Sequence, residues 1–195
     1  MNKTAYKIIN GITLYRLLAA PILFYLAYIG RIDIFKWLLP LSFFTDLIDG
    51  FLARRFKVNS EMGSRLDSIA DDLTILASIA ALFLFKKEFT IEQSFILAIL
   101  FSLFIIQILV SFIRYHKTTS FHTYLAKISA FLQGSFLILM FLLPHPIYWL
   151  FYLASFVTFL ELIEEITLVI LLPKWQINVR GLYWVLKKTS NNQKI

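Results

Sequence analysis

Four aspartates occur in one short stretch, and their spacing indicates metal chemistry. Asp46 and Asp49 are three residues apart, and Asp67 and Asp71 are four apart, so each pair lies on one face if its segment is helical. Four converging carboxylates repel one another unless cations neutralise them. An all-oxygen donor set suits Mg²⁺, Mn²⁺ or Ca²⁺ rather than Zn²⁺. The cluster could hold two ions, the arrangement that stabilises attacking and leaving oxygens in a displacement at phosphorus.

The residues around these aspartates suit a phosphate-containing substrate. Gly50 has no Cβ, so a phosphate or nucleotide can approach the helix backbone closely. Arg54 carries a planar fork of donors that matches phosphate oxygens. Gly63 can supply a turn before the helix that carries the second pair of aspartates. Together these residues predict a metal-assisted phosphoryl-type transfer site.

The elements that position this site are membrane spans. The chain of 195 residues is 59% hydrophobic and 16% charged, whereas a soluble domain carries roughly 25% charged residues. Its apolar residues form runs of about twenty, enough for a helix to cross a bilayer core. We predict an all-α integral membrane protein with six transmembrane helices and a single domain over residues 1–195. The predicted spans are residues 11–30, 34–53, 66–85, 94–112, 125–143 and 147–172.

The basic residues predict the orientation. The net charge is +7, and fifteen of the nineteen Lys and Arg residues fall on one side of the predicted spans. This asymmetry indicates cytoplasmic termini rather than a nucleic-acid partner, and it places the aspartates at the cytoplasmic face of the membrane. We expect this membrane to be a bacterial cytoplasmic membrane. Residues 173–195 form either an amphipathic helix on the inner leaflet or a solvated tail. The absence of cysteine excludes disulfides, thiol catalysis and cysteine-ligated metals.

The aspartate stretch resembles the signature of the CDP-alcohol phosphatidyltransferases, D-x2-D-G-x2-A-R-x8-G-x3-D-x3-D. The size and the six spans are closest in general shape to phosphatidylglycerophosphate synthase-like members. Every fixed position is filled, by Asp46, Asp49, Gly50, Ala53, Arg54, Gly63, Asp67 and Asp71. Thr13, Arg16 and Pro21 also resemble the first helix of this family.

The resemblance implies transfer of a phosphatidyl group from CDP-diacylglycerol to a small alcohol, with release of CMP. It implies that Asp46, Asp49, Asp67 and Asp71 ligate Mg²⁺ or Mn²⁺, with two ions expected, and that Asp71 is the general base. The residues expected to bind the CDP-lipid are Asp49, Gly50, Ala53, Arg54, Gly63 and Asp67. Family members are commonly homodimers that contact membrane lipids, and we expect the same of this chain.

Three cations are candidates for binding the acceptor alcohol. Arg114, Lys117 and Lys127 lie on the predicted cytoplasmic side, where they suit a phosphorylated acceptor. Lys117 is equally consistent with anchoring the chain under the positive-inside rule. Residues 126–133 match only in part a pattern found in glycerophosphate-using members. We expect glycerol 3-phosphate as the acceptor, with inositol phosphate or another polar alcohol as the alternative.

Intramembrane acids also allow a different class of protein, a small membrane transporter. A transporter would not require Gly50, Ala53, Arg54 and Gly63 at these intervals, so the transferase is the favoured hypothesis. Glu161, Glu164 and Glu165 fall within the sixth predicted span. Their roles stay open: they could pair with the basic cluster, lie at a dimer seam or mark the cytoplasmic end of a tilted helix.

Overall fold

The computed structural model describes residues 3–56, 61–119 and 121–192, and these residues form eight helices and no strands. Six of the helices are long, and they coincide with the six predicted spans. The short helix α4 was not predicted, and α8 covers part of the predicted tail. The helices are α1 (Lys3–Tyr28), α2 (Ile32–Phe56), α3 (Glu61–Phe85), α4 (Lys87–Glu92), α5 (Ser94–Tyr115), α6 (Tyr124–Leu142), α7 (Tyr148–Leu171) and α8 (Leu182–Asn192).

Three of these helices are long and apolar enough to cross a membrane, as judged by length and composition over the described residues. They comprise Arg65–Phe85 in α3, Ser94–Tyr115 in α5 and Tyr124–Leu142 in α6. Leu14–Tyr28 in α1 is a shorter apolar segment. Apolar helices of this length are typical of integral membrane proteins, because a helix satisfies its own backbone hydrogen bonds in lipid. The number of spans and the orientation of the termini stay predictions.

The chain divides into two compact units, and the first comprises Met1–Gln93 and Leu137–Ile147. Within this unit α1 packs chiefly against α3 and α2. The contact faces are rich in alanine, and these alanines are at most 2% exposed. They are Ala19, Ala20 and Ala27 on α1 and Ala70, Ala77 and Ala81 on α3. Small side chains let membrane helices approach closely, so dispersion contacts between backbones stabilise this packing.

The second unit comprises Ser94–Phe136 and Tyr148–Ile195. Here α5 packs against α7, and a buried apolar cluster lies between the end of α7 and the segments that precede α6 and α8. This cluster, which we call the unit-2 core, consists of Phe121, Leu168, Val169, Leu172 and Val179. The hydroxyl of Tyr115 donates to the carbonyl oxygens of Val169 and Leu172 at 3.0 and 2.8 Å, which ties the end of α5 to the end of α7.

Candidate functional site

The site begins with an arginine buried between α1 and α3. Arg16 is only 2% exposed, and it lies on the same face of α1 as the buried residues Ala19, Ala20 and Leu23. Positions spaced by three, four and seven residues share one face of a helix, so the face that packs on α3 also carries the guanidinium. A buried charge is costly without a partner. The neighbouring helix must therefore supply one.

Two of the predicted site aspartates are those partners. Arg16 Nη1 donates to Asp67 Oδ1 at 2.6 Å, and Nη2 donates to Asp71 Oδ1. Because the guanidinium is planar and permanently charged, it holds both carboxylates in one arrangement and offsets their mutual repulsion. The side chains of Asp67 and Asp71 are 25% and 41% exposed. Both carboxylates therefore remain accessible to a ligand while the arginine behind them is enclosed.

The face of α3 that continues from these aspartates contains hydroxyl groups bonded within the helix. Thr74 donates to the carbonyl oxygen of Ala70, and Ser78 donates to that of Thr74, each at 2.8 Å. Both side chains are buried. These hydroxyls donate to backbone carbonyls one turn earlier, whereas the two aspartates on the same face accept from Arg16. The charged chemistry of this face is therefore concentrated at Asp67 and Asp71.

The other residues of the predicted site lie on α2 or at the start of α3. Gly63 is on α3, one turn before Asp67. The remaining five residues of the signature belong to α2, and their side chains lie outside the described part of the structure; they are Asp46, Asp49, Gly50, Ala53 and Arg54. Among the described residues, no three His, Cys, Asp or Glu side chains form a group that could hold a metal. The four-aspartate metal centre therefore stays a prediction.

The two described aspartates fit part of such a centre. Their carboxylates converge on one guanidinium, which brings hard oxygen donors of the kind Mg²⁺ and Mn²⁺ prefer close together. Oδ1 of each carboxylate accepts a hydrogen bond from Arg16, and both aspartate side chains are partly exposed. A ligand can therefore reach both carboxylates while they remain paired with Arg16.

The three candidate acceptor cations all belong to the second unit. Arg114 lies at the end of α5, where its Nε and Nη2 are 3.4 and 3.3 Å from the carbonyl oxygen of Leu172. Lys117 Nζ lies 4.8 Å above the ring of Trp175. Over the described ranges, none of Arg114, Lys117 and Lys127 forms an ion pair with a carboxylate. Their charges are therefore available to an anionic ligand.

Lys127 is an exposed cation at the start of α6. Its Nζ is 5.4 Å from the ring of Tyr124. A cation over an aromatic ring is weakly attracted and keeps its donors free. Lys117 is only partly exposed, so Lys127 and Arg114 are better placed to meet a ligand from solution.

Two acids of α7, Glu164 and Glu165, accept hydrogen bonds from neutral groups. Glu165 is 9% exposed and accepts hydrogen bonds from Gln107 Nε2 and Thr119 Oγ1, both at 2.8 Å. Gln107 Nε2 also donates to Thr119 Oγ1. Glu164 Oε1 accepts from the backbone N–H of Leu182 at 2.9 Å. These two acids therefore join α5, α7 and α8, and the basic cluster is not their partner in these bonds.

Arg16 is the residue whose role the sequence reasoning missed. The sequence indicates only that Arg16 is one of the cytoplasmic charges and one of the first-helix residues that resemble the family. Its signal was present in the sequence, because a lone arginine interrupts the apolar run of α1. An ionisable group at membrane depth requires a specific partner. The aspartates of α3 were the available acids, although nothing local could select them.

Comparison with known proteins gave one family and several relatives. A sequence model described as CDP-alcohol phosphatidyltransferase matches residues 7–171. The CDP-diacylglycerol–glycerol-3-phosphate 3-phosphatidyltransferase of Rickettsia typhi is 31% identical over 127 residues, covering 64% of this chain and 70% of that protein. The protein of the same name from Rickettsia prowazekii is also 31% identical over 127 residues, with 64% and 68% covered.

A more distant likeness involves a fusion protein. The cardiolipin synthase (CMP-forming) / mitochondrial hydrolase fusion protein of Schizosaccharomyces pombe is 34% identical over 71 residues, which is 36% of this chain and 12% of that protein. No solved structure gives a significant match.

Proposed function

Because this chain belongs to the CDP-alcohol phosphatidyltransferase family and is an enzyme of that class, we propose that it transfers the phosphatidyl group of CDP-diacylglycerol to glycerol 3-phosphate. The names of the Rickettsia relatives contain both substrates. The structural observation that carries the proposal is the pairing of buried Arg16 with Asp67 and Asp71. This pairing holds the two signature aspartates of α3 in a single arrangement.

The proposed reaction is a displacement at phosphorus. The acceptor hydroxyl oxygen bonds to the phosphorus that carries diacylglycerol, and the bond from that phosphorus to the bridging oxygen breaks. CMP leaves with the bridging oxygen, and the hydroxyl proton passes to Asp71. Asp71 suits this role because its side chain is more exposed than that of Asp67, at 41% against 25%. Arg16 holds one carboxylate oxygen of Asp71, which orients the other toward the acceptor.

We further propose that the four signature aspartates hold divalent ions, Mg²⁺ or Mn²⁺. The residues that would bind them are Asp46, Asp49, Asp67 and Asp71. When bound, such ions supply positive charge that stabilises the phosphate oxygens and the CMP leaving group. The exposed fractions of Asp67 and Asp71 and their shared guanidinium support this assignment. Arg16 would then limit the negative charge that two aspartates bring to the ions.

The remaining parts of the substrate site follow from the signature. Asp49, Gly50, Ala53, Arg54, Gly63 and Asp67 would bind the CDP-lipid. Arg54 would pair with a phosphate oxygen, because its fork of donors fits that geometry. We propose six spans and a bacterial cytoplasmic membrane, with the site at the cytoplasmic face and a homodimer as the assembly. The bacterial relatives and the distribution of Lys and Arg support the location.

A phosphorylated acceptor is supported by the uncompensated cations of the second unit. Exposed Arg114 and Lys127 form no ion pair with a carboxylate among the described residues. A phosphate dianion would provide charge-assisted hydrogen bonds to such donors. Inositol phosphate satisfies the same chemistry and is the second candidate. Inositol, which carries no charge, would leave both cations without a counter-charge.

The reaction is tested by measuring CMP release from CDP-diacylglycerol with purified protein in detergent. We expect release with glycerol 3-phosphate and Mg²⁺ or Mn²⁺, and loss of release when EDTA removes the metal. Parallel reactions contain inositol 1-phosphate, serine, inositol or phosphatidylglycerol. Release with only a neutral alcohol would contradict the phosphorylated acceptor. Activity that persists in EDTA would contradict the metal assignment. Folded protein that neither binds CDP-diacylglycerol nor releases CMP would overturn the transferase and favour a transporter.

The acceptor cations are tested by neutral substitutions. Lys127→Gln and Arg114→Gln should each raise the KM for glycerol 3-phosphate by about 10- to 100-fold, because a hydrogen bond to a charged group contributes roughly 1.5–3 kcal/mol. The KM for CDP-diacylglycerol should change little. Lys87→Gln is the matched control, since Lys87 is an exposed cation of the first unit at the start of α4. Equal effects in all three variants would contradict a specific acceptor site.

A further inference from the structure

Helix α8 is docked on the second unit through its first turn. The backbone N–H of Leu182 donates to Glu164 Oε1 at 2.9 Å, and a carboxylate at a helix N-terminus is favourable because backbone donors there lack helical partners. Leu182 and Val185 also pack against the unit-2 core. The position of α8 is therefore determined by one charge-assisted bond and an apolar contact.

The turn that leads into α8 requires glycine. Gly181 has a φ of +144°, a conformation that side chains disfavour. A Cβ at this position would lie 3.0 Å from Glu164 Oε1 and 3.3 Å from Trp184 Cζ3. The close approach brings the start of α8 directly onto the carboxylate of α7. This geometry indicates that α7 and α8 are held together by a specific, closely packed contact.

The depth of α8 in the membrane, relative to the candidate spans, follows from its contacts with aromatic residues at the ends of those spans. The rings of Trp184 and Tyr124 have centroids 5.4 Å apart, and Tyr124 is the first residue of a candidate span. Tyr115, the last residue of another candidate span, packs against the same core as Leu182 and Val185. The first turns of α8 therefore lie where two spans end, which is the depth of the headgroups.

The exposed side chains of α8 have the chemistry of that depth. Tyr183, Trp184 and Leu186 are 65%, 43% and 50% exposed. Tyrosine and tryptophan favour the interface because each has an apolar ring and a polar atom. Exposed Arg180 and Lys187 flank these residues in the chain and add positive charge. Apolar rings combined with cations complement a lipid surface that carries anionic headgroups.

We propose that α8 lies on the membrane surface, with Tyr183, Trp184 and Leu186 inserted at the boundary between headgroups and acyl chains of an anionic leaflet. The lipid surface is preferred to a second copy of this chain because the exposed face combines bulky apolar groups with uncompensated cations. A second copy would bring the same cations against themselves. The proposal is independent of the transferase reaction, because it depends only on contacts within the second unit.

The test uses a single cysteine, since the chain has none. The variant Tyr183→Cys carries a nitroxide label in full-length protein reconstituted into phosphatidylcholine vesicles containing phosphatidylglycerol. The accessibility of the label to oxygen and to a water-soluble nickel complex reports its depth. Leu109→Cys, at an exposed position within α5, is the membrane reference. Gln176→Cys, at an exposed position in the loop after α7, is the aqueous reference.

We expect the label at position 183 to shift from the aqueous reference toward the membrane reference and to lie between the two. Replacing phosphatidylglycerol with phosphatidylcholine should move it back toward water. A label indistinguishable from the aqueous reference would overturn the proposal. A label protected from both oxygen and the nickel complex would also overturn it, since it would indicate a protein occupant such as a second copy. Circular dichroism of each variant verifies that the helices are retained.

Discussion

Asp71→Asn is expected to lower the rate of CMP release by about 10²–10⁴-fold, the usual contribution of a positioned general base. The amide has nearly the same shape and still accepts a hydrogen bond from Arg16, so the packing of α1 on α3 should persist. It cannot accept a proton from the acceptor hydroxyl. The measurement is initial CMP release at saturating substrates, together with thermal unfolding in the same detergent.

Two comparisons separate proton transfer from other effects. Asp33→Asn is the matched control, because Asp33 is an exposed aspartate whose side chain is 61% accessible, and this variant should retain full activity. Since Asp71 is also a predicted metal ligand, activity is measured over rising Mg²⁺ and Mn²⁺ concentrations. Recovery of the full rate at high metal would show that the residue acts only through metal affinity. A fully active Asn variant at ordinary metal concentration would contradict both roles.

Arg16→Gln is expected to cause the largest combined loss of stability and activity. Removing one partner of a buried ion pair costs about 3–5 kcal/mol, because the remaining charges are left uncompensated. The partial exposure of Asp67 and Asp71 places the expected loss at the lower end of that range. Activity of the folded fraction should fall by about 10²-fold, since the carboxylates lose their common orientation. Thermal unfolding and CMP release below the transition measure the two effects.

Two further variants, a conservative substitution of Arg16 and a substitution in an exposed ion pair, serve as comparisons for Arg16→Gln. Arg16→Lys keeps the charge but loses the planar fork, so it should recover part of the stability and little of the rate. Arg31→Gln removes the same group from an exposed pair with Asp33, where solvent screens the charges and little stability should be lost. If Arg16→Gln and Arg31→Gln unfolded at the same temperature, the structural role of the buried pair would be refuted.

A double substitution tests the pairing directly. In Arg16→Gln the two aspartates repel each other, so adding Asp67→Asn should restore part of the lost stability. In the chain with Arg16 intact, the same Asp67→Asn change should destabilise the fold. If the effect of Asp67→Asn on stability reverses its sign in this way, the two side chains interact. Additive losses would show that Arg16 and Asp67 contribute separately.

Much of the fold follows from patterns along the chain. The six predicted spans each coincide with one long helix, because runs of about twenty apolar residues separated by Gly and Pro are a local property. The pairing of Asp67 and Asp71 with one guanidinium agrees with their spacing of four on a single helix. Helix α4 was missed because its six residues are too few to show a hydrophobic period.

The acids of α7 have roles that local sequence patterns do not predict. Glu161, Glu164 and Glu165 are near neighbours in sequence, and nothing in their spacing distinguishes them. In the folded chain Glu165 is buried against Gln107 and Thr119, whereas Glu164 receives the first N–H of α8. Their partners come from segments far away in sequence, so the two roles depend on the packing of α5, α7 and α8.

By itself, the sequence determined that this protein is a helical membrane enzyme of the CDP-alcohol phosphatidyltransferase family, because hydropathy and the signature are local patterns. Only the tertiary structure decided that Arg16 is the partner of the α3 aspartates, which lie 51 and 55 residues away. The physical reason is that alanine-rich faces of α1 and α3 pack closely. That packing buries the guanidinium, and a buried charge must take the carboxylates within its reach.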